Sequence, residues 1–307
     1  MVVFEFFELC FFFVLIQILG FTLATKQPAM TANALALQLT NAKKKGDFSL
    51  VLHNFASLIR SQVASVVGNV AGVLPTVWGL YLIFDRFWEF DLISEHKALA
   101  LIKEHSLGSF TPIYAIFTGA ILWFSAIMAG FFENWSAYRQ LTEALGDSSF
   151  LQRFLGKERA IQFAKNVRLQ MTNLMSNIAL AFFLIMTPAA ISYLGIHADI
   201  RHVTISSGLV TYATFVQSEP LSHLDITALV FSCFLIGLLN VFVCFALSFI
   251  VASRMCGMTH CDRRKVYRIL YGALIRHPSA FLFPRHSHHL SYKKNLPTDS
   301  SARAEDK

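Results

Sequence analysis

The amino-acid sequence predicts an all-α protein, a polytopic transmembrane helix bundle of about five spans. Of its 307 residues, 55% are hydrophobic and only 15% are charged, whereas soluble domains carry about 25% charged residues. The mean hydropathy is +0.51, and the charged residues cluster between long uncharged runs. Only helices and closed barrels pair every backbone group inside a bilayer, and runs of about 20 residues have the length of a helical span. This composition excludes a water-soluble globule.

The spans follow from the runs that lie between successive charged residues. In chain order they are predicted near residues 4–24, 61–84, 110–132, 170–196 and 226–253. The first is the shortest, because only 17 uncharged residues separate Glu8 from Lys26. A sixth uncharged run, Val203–Ser218, has 16 residues and is rich in Ser and Thr. It is too short and too polar for a span, so we expect a periplasmic loop or a segment lying in the interface.

The positions of Lys and Arg predict the orientation. Of the 26 basic residues, 22 lie in segments 26–60, 133–168 and 254–307. Because cytoplasmic loops carry the excess of Lys and Arg, these segments and the C-terminus are predicted in the cytoplasm. Five spans then place the N-terminus outside, although a secretory signal peptide would need a positive start. We therefore expect the chain to continue a longer protein whose upstream part is absent.

The formal net charge of +7 arises mainly near the end of the chain. Residues 254–284 are predicted to form a basic cytoplasmic segment with an amphipathic helix, because Val266, Leu270 and Leu274 recur at helical spacing. The predicted partner is the lipid bilayer, with anionic lipid at this segment. A contact with nucleic acid is the alternative, and it is disfavoured because topology already accounts for the charge. Residues 285–307 are polar and are predicted to be disordered.

The cysteine and histidine pattern predicts no metal site and no cofactor. Cys256 and Cys261 flank His260 directly after the last span, but a structural zinc site needs four ligands. A second pair at standard spacing is missing, and the cluster His286–His289 is the remaining source of ligands. Cys256, His260 and Cys261 are therefore weak candidates for metal ligands. No nucleotide-binding loop or catalytic triad motif is present, so no catalytic residue is predicted.

Several amide side chains lie inside the predicted spans, and the candidates among them are Asn69, Asn177 and Asn240. Intramembrane amides either bridge helices or line a substrate path. The last four predicted spans contain no Asp, Glu or Lys, which favours helix bridging over ion-coupled transport. Small residues at every fourth position, in Ala64–Gly72 and Ala115–Gly119, predict that helix backbones approach closely there.

Two further groups of polar residues are candidates for function. Glu133 and Asn134 follow the third span, and Arg201 and His202 lie in the loop after the fourth. The alternative for Glu133 and Asn134 is that they anchor the helix at the membrane interface together with Trp135, because Trp is common at that interface. The alternative for the second is an ion pair between Arg201 and Asp199.

Several stretches of the chain resemble a known family. They are Leu19–Thr31, Gly68–Asn69, Ala129–Trp135, Asp199–Ser206 and Arg263–Pro284. Together they resemble the Gcr-type family of bacterial membrane proteins labelled site-specific recombinase, over most of the chain. Family members are longer, so the resemblance implies the C-terminal half of such a protein.

The family label implies DNA recombination. A tyrosine recombinase needs Arg and His residues around a phosphate and a Tyr nucleophile. His260 and Arg263 form a His-x-x-Arg, with His286 and Tyr292 downstream, but only 54 residues follow the last predicted span. Three hypotheses stay open: an inner-membrane protein without visible catalytic residues, a transporter or channel subunit, and a DNA recombinase. A homo- or hetero-oligomer is compatible with each of them.

Overall fold

The described part of the structure is made of α-helices. The structure is a computed structural model, and it describes residues 2–18, 35–42, 44, 48–88, 92–196 and 199–283. The helices are α1 (Val2–Ile18), α2 (Ser49–Trp88), α3 (Glu95–Glu104), α4 (Thr111–Tyr138), α5 (Leu141–Gly146), α6 (Ser149–Leu155), α7 (Lys157–Tyr193), α8 (Val203–Val216), α9 (His223–Met255), α10 (His260–Arg276) and α11 (Pro278–Leu282). Residues 35–42 are helical as well, and no β-strand occurs within the described ranges. The predicted all-α class is confirmed.

Four helices, α2, α4, α7 and α9, are long and apolar enough to cross a membrane. They coincide with the last four predicted spans. α2 has 40 residues and α7 has 37, or about 60 and 55 Å at the α-helical rise. Each is therefore longer than a hydrocarbon core of about 30 Å. The first predicted span begins as α1, which has 17 residues, and its remainder lies outside the described residues.

The chain divides into two compact units, residues 1–27 with 65–247 and residues 28–64 with 248–307. In the first unit, α1 and α4 both pack along α7, and the short helices α5 and α6 pack against it as well. The rings of Phe124 on α4 and Phe183 on α7 meet with centroids 4.9 Å apart. Aromatic pairs in this edge-on geometry add to the energy of apolar burial. The Phe-rich composition thus helps to hold α4 against α7.

The sixth uncharged run forms a helix, α8. Its 14 residues span about 21 Å, which is less than the roughly 30 Å that a membrane span must cross. One face of α8 is buried and includes Ser206, Ser207 and Thr211. The helix packs on α3, and its Tyr212 hydroxyl accepts a hydrogen bond of 2.9 Å from the Leu92 amide. The loop alternative is therefore wrong for residues 203–216, because tertiary contacts give this short helix a partner for its buried face.

The second unit contains the start of α2, the end of α9, and both α10 and α11. The rings of Phe55 and Phe281 lie 6.0 Å apart, and the Arg60 guanidinium donates a hydrogen bond of 2.5 Å to the Ala280 carbonyl. These contacts fasten α11 to the start of α2. Protein side chains therefore cover part of the region that the sequence analysis placed on the membrane surface.

α10 is the predicted amphipathic helix of the basic segment. It begins with a capping box, in which Thr259 and Asp262 each accept a hydrogen bond from the backbone N–H of the other. Val266 and Leu270 are buried in the second unit, so protein covers this part of the apolar face, whereas Leu274 is exposed. Tyr271, by contrast, is 66% exposed, on a side of the helix that the described residues leave uncovered. The predicted disordered tail, residues 285–307, lies outside the described residues.

Candidate functional site

Asn240 is fully buried in the first unit and joins three segments of the chain. Its amide nitrogen donates to the Ala115 carbonyl on α4 at 2.9 Å and to the Arg201 carbonyl at 3.0 Å. Its amide oxygen accepts a hydrogen bond from the Val203 N–H at 3.2 Å. The first N–H groups of a helix have no partner inside that helix. Asn240 on α9 therefore supplies the acceptor that α8 needs at its start.

Two glycines allow the close approach of helices around Asn240. A Cβ added at Gly119 of α4 would lie 2.7 Å from the Val243 Cβ of α9, and one added at Gly237 would lie 2.5 Å from the Val66 Cγ1 of α2. Side chains do not tolerate such distances, so each position requires glycine. The predicted close approach of helix backbones at Gly119 is confirmed.

The small residues of α2 behave differently. A Cβ added at Gly68 or Gly72 would meet no atom of the described residues within 4 Å. Asn69, which lies between them, is half-buried. Within the described part of the chain, the predicted close packing of this stripe is therefore not made.

Arg201 is a buried charge beside Asn240, with only 3% of its surface exposed. Its guanidinium pairs with the Asp199 carboxylate and lies 3.8 Å from a carboxylate oxygen of Glu104. It also lies 5.7 Å from the centre of the Tyr114 ring. The backbone N–H of Arg201 donates a hydrogen bond to the Thr118 hydroxyl at 3.0 Å. The ion pair with Asp199 was anticipated from sequence, whereas no spacing in the chain connected Arg201 to α3 and α4.

Two histidines near Arg201 are buried. His105 caps the end of α3, and its backbone carbonyl accepts a hydrogen bond of 2.6 Å from the Ser232 hydroxyl of α9. Its ring Nδ1 lies 2.8 Å from the Leu101 carbonyl. Burial, and then the positive charge of Arg201, lower the pKa of His105 to about 4. His202 is the N-cap residue of α8. His202 is a candidate predicted from sequence, whereas His105 is not, because a histidine beside the Glu104 charge resembles a surface histidine.

Asn177 links α7 to α1. Its side-chain nitrogen donates to the Phe13 carbonyl at 3.0 Å, and the residue is buried. Intramembrane amides commonly connect helices in this way. The contacts of Asn177, like those of Asn240, are those of helix bridging.

Glu133 and Asn134 line a cleft of about 300 Å³ between the end of α4 and α7. Its other lining residues are Ser136, Ala137, Arg168, Leu169, Met171 and Thr172. The Glu133 carboxylate accepts a hydrogen bond of 2.6 Å from the Thr172 hydroxyl. Arg168 brings a positive charge to the cleft that already holds the Glu133 carboxylate. The sequence analysis selected the two α4 residues but not Arg168, whose place opposite them depends on how α7 packs on α4.

The weak metal candidates lie around the start of α10. His260 and Cys261 are exposed, and Cys256 is half-buried near the end of α9. Among the residues that the structure describes, no group of three His, Cys, Asp or Glu side chains could hold a metal ion. The cluster His286–His289 lies outside those residues. The metal interpretation of the three candidates gains no support from this geometry.

Arg263, the arginine of the His-x-x-Arg, is buried and hydrogen-bonded to the protein's own backbone. It is 7% exposed, and its guanidinium donates to the Met258 carbonyl at 3.1 Å. Its charge is thus directed to the backbone that precedes α10. His286 and Tyr292, the other residues of the recombinase interpretation, lie outside the described residues.

A comparison with known proteins assigns this helical architecture to a family. A family model described as Site-specific recombinase matches residues 7–284. The chain belongs to this family. No curated protein and no solved structure matches it. The match contains α2 to α11 completely and covers most of both compact units. In this member of the site-specific recombinase family, the matched residues form helices of membrane-spanning length together with a basic helix near the C-terminus.

Proposed function

We propose that this member of the site-specific recombinase family is a multi-pass protein of the bacterial inner membrane with a cytoplasmic C-terminus and no recombinase chemistry in this chain. The observation that carries the proposal is the set of four membrane-length helices, α2, α4, α7 and α9. The segments between their uncharged runs alternate in Lys and Arg, because segments 26–60, 133–168 and 254–307 hold 22 of these residues and segments 85–104 and 199–225 hold four. The positive-inside rule favours the cytoplasm for the rich segments and for the C-terminus.

The buried polar contacts support a packed bundle rather than a solute path through these residues. Asn240 and Asn177 donate to backbone carbonyls, and the Arg201 charge is paired with carboxylates. A transport path needs polar groups that remain available to the solute. These side chains instead connect segments of the protein to one another.

The exposed side of α10 supports a contact with anionic lipid. Arg264, Arg268, Tyr271 and Ile275 are exposed, and they form one row along the helix because they are four, three and four residues apart. A basic side chain near an anionic leaflet contributes about 1 kcal/mol to binding. Tyr and Ile can insert at the headgroup boundary. The row thus combines the two chemistries that a membrane-surface helix uses.

Topology mapping tests the membrane proposal. Reporter fusions after Lys45, Lys97, Arg153, Asp199 and Lys294 should report inside, outside, inside, outside and inside. An outside signal from the last fusion would refute the orientation. It would also separate the basic C-terminal segment from the cytoplasmic leaflet and from DNA.

The lipid contact of α10 has its own test. We expect phosphatidylglycerol to raise the Tm of the purified protein in detergent, and the pair Arg264→Gln and Arg268→Gln to reduce that rise. Arg159→Gln is the matched control, because Arg159 is exposed at the start of α7 and lies outside α10. An equal rise in the double variant and the wild type would contradict the contact.

A transporter or channel is the second candidate function, and the cleft at Glu133 favours it because the cleft is open to a small polar solute. A soluble compound that stabilises the wild type in detergent but not Glu133→Gln would support this candidate.

A homo- or hetero-oligomer is compatible with a transporter or channel. The stripe at Gly68 and Gly72 of α2, which the described residues leave uncovered, offers a surface for such assembly. Cross-linking of cysteines placed on that stripe would test the oligomer.

DNA recombination, as the family label says, is the third candidate. It would require a covalent protein–DNA intermediate through a residue such as Tyr292. The position of Arg263 against a backbone carbonyl argues against it. Recovery of a DNA adduct that is lost in Tyr292→Phe would reverse this judgement.

A further inference from the structure

We propose that the cleft between α4 and α7 binds the zwitterionic phosphoethanolamine headgroup of a membrane phospholipid. This inference rests on the proposed insertion in a membrane, but not on the direction in which the chain is oriented. The cleft has a volume of about 300 Å³ and is lined by a carboxylate, a guanidinium, an amide and hydroxyls. That volume is at the lower end of small-molecule sites, which suits a headgroup better than a larger solute.

The cleft lies at the edge of the membrane-spanning segments. Glu133 is the first charged residue after the uncharged run of α4, and Arg168 is the last charged residue before the uncharged run of α7. Trp135 and Tyr138 follow on α4 and are both exposed. Trp and Tyr are enriched at the level of the lipid headgroups. The two opposite charges of the cleft are therefore at the depth where a phospholipid presents its phosphate and its amine.

The chemistry of the lining matches both charges of phosphoethanolamine. The Glu133 carboxylate is oriented by the Thr172 hydroxyl at 2.6 Å and can accept hydrogen bonds from a primary ammonium. The Arg168 guanidinium can donate two parallel hydrogen bonds to a phosphate. Phosphatidylglycerol has no ammonium for Glu133, and the quaternary ammonium of phosphatidylcholine has no N–H to donate. We therefore expect selectivity for a primary-amine headgroup.

An apolar rim favours a lipid over a free solute as the source of this headgroup. Leu169 lines the cleft and is 79% exposed. Phe131, two residues before Glu133, is also exposed. Both side chains offer apolar surface to acyl chains that extend from a bound headgroup. A soluble phosphoethanolamine would leave these side chains uncovered.

The test measures the Tm of the full chain in dodecylmaltoside with added phosphatidylethanolamine, phosphatidylglycerol, phosphatidylcholine or soluble phosphoethanolamine. We expect phosphatidylethanolamine to raise the Tm, and both Glu133→Gln and Arg168→Gln to lose most of that rise. Arg168→Lys keeps the charge and should retain part of it. Glu143→Gln and Arg159→Gln are matched controls, because both residues are exposed and neither lines the cleft; they should retain all of the rise.

The outcomes separate this inference from the proposed function. The two cleft variants should still respond to phosphatidylglycerol, because that response is assigned to α10, and topology mapping is independent of both results. An unchanged phosphatidylethanolamine response in the cleft variants would overturn the site, as would an equal response to phosphatidylcholine in the wild type. An equal response to soluble phosphoethanolamine would overturn the lipid as the source. Gln at position 133 keeps an acceptor for Thr172, so this variant is expected to fold.

Discussion

Replacement of Asn240 by Leu removes the hydrogen bonds that join α4, α8 and α9. Those bonds are the donations to the Ala115 and Arg201 carbonyls and the acceptance from the Val203 N–H. At the average of about 0.6 kcal/mol for a hydrogen bond between membrane helices, the loss is about 2 kcal/mol. The Val203 N–H would also lose its buried acceptor, which costs about 1–3 kcal/mol. We expect the free energy of unfolding to fall by about 3–5 kcal/mol.

The assay is reversible unfolding of the purified protein by sodium dodecyl sulfate in dodecylmaltoside micelles, followed by tryptophan fluorescence. Asn69→Leu is the matched control, because Asn69 is also an amide within a membrane-length helix but is only half-buried. It should change the free energy of unfolding by no more than about 0.5 kcal/mol. The reasoning is refuted if Asn240→Leu is as stable as the wild type, or if both variants lose the same amount.

Three further changes test other parts of the fold. Gly119→Val should lower the free energy of unfolding by about 1–3 kcal/mol or more in the same titration, because an added Cβ would lie 2.7 Å from the Val243 Cβ. Gly130→Val is the control and should be tolerated, since no described atom lies within 4 Å of a Cβ at that position. Equal losses in the two variants would contradict this packing. The pKa of His105 is lowered to about 4 in the folded chain, so the unfolded chain takes up a proton first as the pH falls. The free energy of unfolding should therefore fall by up to about 3 kcal/mol as the pH drops from above 6.5 towards 4. The stability difference between wild type and His105→Gln should therefore change across that pH range, and a constant difference would count against a neutral buried ring. Thr259→Ala should lower stability by about 1 kcal/mol through loss of the α10 capping box, and an unchanged Tm would show that the cap is not needed.

The membrane-length helices could be predicted from sequence, whereas one shorter helix could not. Uncharged runs longer than a bilayer core identify membrane-length helices directly, and α2, α4, α7 and α9 appear where those runs lie. The run Val203–Ser218 is too short and too rich in hydroxyls to show this signal. It forms α8 because Asn240 completes the hydrogen bonding at its start and α3 covers one of its sides. Neither contact can be deduced from the run itself.

The candidate sites were only partly visible in the sequence. Polar residues within or beside apolar runs are conspicuous, and this selected Asn240, Arg201 and Glu133. Glu104, which lies beside Arg201, and Arg168, which shares the cleft with Glu133, occur in ordinary charged segments. Nothing in the sequence of such a segment distinguishes a site residue from a solvated one. The amphipathic pattern of α10 was likewise visible, but a repeat of apolar residues does not say whether protein or lipid covers them.

The sequence by itself determined the all-α class, the positions of the membrane-length helices and the family resemblance, because burial in hydrocarbon depends on the polarity of each residue in turn. The tertiary structure alone decided which backbone groups Asn240 satisfies, that Glu104 lies beside Arg201 in addition to Asp199, and that Glu133 shares a cleft with Arg168. Such pairings depend on distances between segments that are remote in the chain. They are set by how the helices pack, and that packing is close at positions such as Gly119.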